Sequence, residues 1–135
     1  MIRNSVLALL FLTTTLSVKA SDTEGARVLI HTLNYISHDY QFAVKEGKII
    51  SNDEYKEEIE FSGDVQKYFL QYSTSWKKED SLNISKKVTT LDSLIKHEAD
   101  FSIVSTLAKQ TISEVIAASG LKIIPTKYPN LQNGK

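Results

Sequence analysis

The residues of this chain best suited to chemistry are the acids Asp53, Glu54, Glu57, Glu58 and Glu60. On a helix, Glu54 lies one turn from both Glu57 and Glu58, so their like charges repel. A hard cation held through oxygen, iron among them, would relieve that repulsion. The same acids also suit the positive N-terminal end of a helix and a solvated outer face, and both readings stay open. Upstream, His31, Tyr35 and His38 fall at i, i+4 and i+7 with Asp39 beside them. That is a pattern for a metal or proton-sensing site, and equally for histidines flanking an apolar face. His97 closes a predicted helix, where an imidazole sits well against the negative end of the dipole.

Enzyme signatures are missing. The sequence holds no Gly-rich phosphate loop, no H-E-x-x-H and no G-x-S-x-G. Solvated helical carboxylates are a poor basis for general acid–base work. The expectation is a protein that is not an enzyme.

Four helices must position these groups. The first is predicted over 23–45, with Val28/Leu29, Leu33, Ile36, Tyr40 and Ala43/Val44 recurring on one face, and Gly47 as its left-handed stop. The second opens at Ser51, which forms a capping-box pattern with Glu54. Its stripe is read through Tyr55, Ile59, Phe61, Val65, Tyr68, Phe69 and Tyr72 to Trp76. Gly63 within it either allows close helix approach or is simply tolerated, at a cost of roughly 1 kcal/mol relative to alanine. Ile84, Val88, Leu91 and Ile95 mark the third helix. Phe101, Val104, Ala108, Ile112 and Val115 mark the fourth, with Asp100 as its cap and Gly120 as its terminator. No strand alternation of useful length occurs. The fold class expected is all-α, an antiparallel four-helix bundle with short connections, preceded by a signal peptide.

Residues 1–20 read as that signal: Arg3, an apolar run over 5–18, and Val18-Lys19-Ala20 suited to cleavage before Ser21. The apolar run is short for a bilayer span. Residues 21–120 form the bundle. Residues 121–135, with both prolines and an Asn-Gly step, read as a linker or tail. Formal charge is zero over the chain. Without Arg3 and Lys19, 14 basic residues stand against 16 acidic, or −2. Nucleic acid would find little to neutralise. No cysteine is present, which leaves stability to packing and excludes thiolate metal sites and c-type haem attachment. The Asn83-Ile84-Ser85 sequon reads as chance.

The order of residues from Leu33 to Phe61 carries a resemblance. It runs Tyr35-Ile36, Asp39-Tyr40, Ala43-Val44, Gly47, Glu54-Tyr55 and Glu60-Phe61. This resembles the N-terminal extracytoplasmic region of bacterial high-affinity iron permeases of the type fused to a cytochrome c module. The likeness extends over roughly residues 26–131. It implies a periplasmic accessory domain of iron uptake that holds iron weakly or docks the cytochrome and permease modules, in the same chain or separate. The positions that match, and so the metal-ligating residues it implies, are Asp39, Glu54, Glu57 and Glu60. Tyr35 and Tyr40 complete the pattern, and Tyr55 and Phe61 are expected to pack. Asn34 stands where the family often has aspartate, so one oxygen anion is missing. The Arg-Glu-x-x-Glu of the permease helices and the C-x-x-C-H of the cytochrome do not occur in this sequence, so permeation does not reside in these residues. The likeness implies a piece of a longer protein, or a short relative of one, and a tether to the inner membrane through a further C-terminal part. The alternative, from the residues alone, is a ligand-free structural or protein-interaction bundle.

Overall fold

The computed structural model describes residues 16–122, with side chains from Asp22 onward. Four helices follow in order: α1 (Leu16–Ala43), α2 (Asn52–Tyr72), α3 (Lys78–Lys96) and α4 (Phe101–Ser119). α1 packs against α2 and α4, and α3 against the same two. The helices therefore form a closed ring, and their short connections run neighbours antiparallel. The expected four-helix bundle is what the chain builds. The proposed signal peptide falls mostly outside the described residues, and its last five positions lie in α1. Of the proposed tail, only Leu121 and Lys122 are described.

The core is set by a strict alternation of three- and four-residue steps. On α1 it buries Ala26, Leu29, Leu33, Ile36, Tyr40 and Ala43; on α3, Ile84, Val88, Leu91 and Ile95; on α4, Val104, Ala108, Thr111 and Val115. This is the seam of helices packed knobs into holes. Gly25 lets α1 pack against the Tyr72 ring of α2, which a β-carbon there would overlap. Gly63, by contrast, meets open space, which settles it as a tolerated glycine.

Three local expectations are corrected. α1 ends at Ala43 and not at Lys45, because Val44 pairs with Ile49 in a two-residue antiparallel hairpin, β1 (Val44–Lys45) and β2 (Lys48–Ile49). Glu46 and Gly47 turn that hairpin with positive φ at both (51° and 70°), the requirement of a type I′ turn. Gly47 thus serves a hairpin, not a helix stop. α2 ends at Tyr72, where Ser73–Ser75 tighten into a 3₁₀ turn that delivers Trp76 to the core in extended backbone. Ser51 does cap α2, its hydroxyl accepting from the Glu54 amide at 3.3 Å. Asp100 caps α4 through its backbone carbonyl, while its side chain makes no cap hydrogen bond. Gly120 ends α4 in the left-handed conformation.

The α3–α4 corner is held tightly. The amide of Glu98 bonds the Ile95 carbonyl and that of Ala99 the Leu94 carbonyl, with Glu98 at φ 55°. These are the two bonds of a Schellman motif with glutamate where glycine is usual. The His97 ring bonds the Ser93 carbonyl at 2.8 Å, a capping role for that histidine. Two tyrosines clamp the corner from across the bundle. Tyr40 of α1 donates to the Ala99 carbonyl at 2.8 Å, and Tyr55 of α2 to the Ile95 carbonyl at 2.9 Å.

Candidate functional site

The seam of α2, traced back from Trp76 by alternating steps, runs Tyr72, Phe69, Val65, Ser62, Glu58 and Tyr55. Two of its inward positions are polar, and both are buried: Ser62 at 2% exposure and Glu58 at 1%. Ser62 is satisfied, donating to Asp92 of α3 at 2.7 Å. Burial pulls the Asp92 carboxyl upward, but hydrogen bonds from Lys96 (2.8 Å) and Ser62 outweigh it and hold the group below its usual range.

Glu58 is the opposite case. Its Oε2 is buried and has no hydrogen-bond partner. The charges acting on it are all acidic: Asp39 of α1, then Glu54 and Glu57 of its own helix. Burial first and these neighbours second push its carboxyl up to about 8 from an ordinary 4.5. A buried carboxyl in such surroundings keeps its proton because ionisation would place an unpaired charge in low dielectric. Tyr40 feels the same cluster. Burial foremost, then Tyr55, Glu58, Glu98 and Asp100, raise its hydroxyl well above its ordinary value. Tyr55 is raised by burial and by Glu98.

The four carboxylates implied by the sequence are placed as follows. Asp39 is half-buried on the α1 side of Glu58, while Glu54, Glu57 and Glu60 are exposed on α2. Asp39, Glu54 and Glu57 all act on Glu58. Among the described residues, no three His, Asp or Glu side chains are grouped closely enough to hold a metal on their own. Tyr40 is fully buried and Tyr55 half-buried, each tied to a backbone carbonyl; neither lines a described cavity. Phe61 packs, stacked on Tyr35 with ring centroids 5.7 Å apart.

Asp39 also borders an open concavity on α1 that it shares with His31, Asn34, Tyr35 and His38. His31 sets its ring edge-on to Tyr35 at 4.8 Å. The His38 Nδ1 lies 2.9 Å from the Asn34 carbonyl and 2.8 Å from the Ser37 hydroxyl, so local backbone fixes that ring. The stripe read from the sequence is therefore one surface, and Asp39, which borders it, also acts on the buried glutamate.

Glu58 was legible as one of the acids but not as the inward one. The signal that finds it is the uninterrupted three-four spacing of the α2 seam, which apolar residues alone do not reveal.

Among the described residues no helix is long and apolar enough to cross a membrane. Residues 17–122 match the family model described as the iron permease-associated 4-helix bundle domain. Neither the curated proteins nor the solved structures give a match.

Proposed function

Because the chain belongs to the iron permease-associated 4-helix bundle domain family, we propose that it is the accessory domain that holds iron weakly beside the permease. The family gives it a transport-related role in an iron uptake system. Iron is cargo here, gathered on the acidic half of α2 and on Asp39 of α1. The observation that supports this reading is that Asp39, Glu54 and Glu57 all act on a buried, unpartnered glutamate, with no positive charge among the groups acting on it. Such a cluster favours a cation through oxygen ligands. Glu60, exposed one turn further along α2, extends the same acidic face.

In the cell the reading places this bundle in the periplasm, exported by residues 1–20, alongside the permease membrane domain and a c-type cytochrome module. With few assembled ligands, the bundle would release its iron readily, as a relay to a transporter requires.

The test is a titration of the purified protein with Fe(II) under anaerobic conditions. Saturable binding that is lost in the Glu54→Gln/Glu57→Gln double variant supports iron holding by the acidic face. The absence of saturable binding at micromolar metal leaves a ligand-free docking bundle, a reading that the core-filling placement of Tyr40 favours.

A further inference from the structure

We propose that Glu58 and Asp39 are the two protein ligands of a cation site bridging α2 and α1, with water completing the ion's shell. This rests on the iron-holding reading above and narrows it to two residues, one of them outside the set that the sequence resemblance implies.

The argument starts from polar satisfaction. Buried polar atoms in folded proteins almost always have a partner, and in the seam of α2 the rule holds at Ser62, which has Asp92. One step along, it fails at Glu58, whose Oε2 is buried and unpartnered. The groups acting on that side chain are Asp39 from α1 and Glu54 and Glu57 from α2, all acidic. None of these carboxylates can donate to Oε2 when ionised. A cation supplied from outside would suit the position, displacing the proton that Glu58 otherwise keeps.

Access comes through Asp39. It is half-buried and borders the open concavity on α1, whose volume is about 260 Å³. That is room for several waters, each occupying roughly 30 Å³. Asp39 lines that concavity and is also the α1 group that acts on Glu58. Two carboxylates with the remaining positions taken by water is the coordination of a hard, hydrated divalent ion. It also agrees with the finding that, among the described residues, no three ionisable ligands converge. Oxygen donors select hard cations over soft ones. Glu57 and Glu60 are exposed and contribute field at a distance.

The experiment is anaerobic Fe(II) titration of the full chain by calorimetry, repeated with Mn(II) as an ion that resists oxidation. Single variants are Glu58→Gln, Glu58→Asp, Asp39→Asn, Glu57→Gln and Glu60→Gln. Removing one ligand charge of two is expected to weaken binding by roughly tenfold or more in Glu58→Gln and in Asp39→Asn. Glu58→Asp, which keeps the charge on a shorter arm, falls between. Glu57→Gln and Glu60→Gln change affinity by less than about threefold, the size of a screened surface effect. Metal also raises the unfolding midpoint of the wild type and not of Glu58→Gln, whose fold is verified by helical dichroism and Trp76 fluorescence. Binding that survives in Glu58→Gln and Asp39→Asn but is lost in Glu54→Gln/Glu57→Gln overturns this inference and leaves the iron-holding reading standing. No saturable binding of either ion overturns both.

Discussion

Replacing Glu58 by glutamine should make this protein more stable at about pH 8 and remove most of its pH dependence between pH 4.5 and about 8. Below pH 4.5, the ordinary value of the carboxyl, Glu58 is protonated in folded and unfolded chains alike and contributes no difference. From there to about pH 8, the unfolded chain gives up the proton while the folded one keeps it. Stability therefore falls as pH rises through this window and levels off above it. A shift from 4.5 to about 8 corresponds to about 5 kcal/mol when complete, and to about 3 kcal/mol at pH 7. Glutamine is close in shape to the protonated acid but carries an amide whose N–H groups need acceptors, at a cost of about 1 kcal/mol. The variant should then be about 1 kcal/mol less stable than wild type at pH 4.5 and about 2–4 kcal/mol more stable above pH 8. Urea unfolding read by the fluorescence of Trp76, the single tryptophan and one that is buried, measures this directly in metal-free protein. The Asp92 carboxyl, held below its ordinary range, is the opposite case. Its contribution is present above its unfolded value and is lost only as pH falls into the acid range, outside the window used. Equal stability differences between wild type and Glu58→Gln at both ends of the window would refute the reasoning.

Two glycines in sequence-similar helical settings should respond oppositely in thermal unfolding. Gly25→Ala must displace the Tyr72 ring and should lower stability by about 1–3 kcal/mol, whereas Gly63→Ala, facing open space, should raise it by about 0.5–1 kcal/mol. At the α3–α4 corner, Glu98→Gly relieves a left-handed glutamate and should stabilise by about 1 kcal/mol, again read from unfolding midpoints; a loss of stability would mean that the Glu98 side chain contributes more than its backbone costs.

Much of the bundle was legible because α1 and α3 write their seams in apolar residues, and α4 nearly so: there Thr111 takes the inward position expected of Ile112, which with Phe101 is only half-buried. Ile84, Val88, Leu91 and Ile95 are the buried set of α3, as their spacing predicts. The first helix reads almost as well, its stripe from Leu29 to Ala43 being buried throughout. α2 is where apolar counting fails. Ile59 and Phe61 look like core from their chemistry, yet both are only half-buried, and the inward positions between Tyr55 and Val65 belong to Glu58 and Ser62. A hydrophobic stripe cannot point to a glutamate, but an unbroken period can. The hairpin escaped notice because two residues per strand leave no alternation to detect. Gly25 escaped because close approach is a property of two helices together, and nothing in either sequence segment alone distinguishes it from Gly63.

The contrast between Ser62 and Glu58 bears on what the acidic end of the bundle is for. Both are polar intrusions into one seam, and the fold resolves the first with Asp92, itself tied to Lys96. That solution was equally open at Glu58: a lysine or arginine on α1 in place of Asp39 would pair it. The chain instead sets another acid there, raising the cost of ionising a group that burial already disfavours. Around this loosened point the fold is otherwise firm. Tyr40 and Tyr55 reach across to the Ala99 and Ile95 carbonyls and fix the corner of α3 and α4 at that end. A ligand-free bundle would gain stability from almost any apolar residue at position 58. Retaining a carboxylate there, against a second carboxylate, costs stability above the ordinary range of the group, and under the proposal of a cation site in this member of an iron permease-associated family a hard cation would offset that cost.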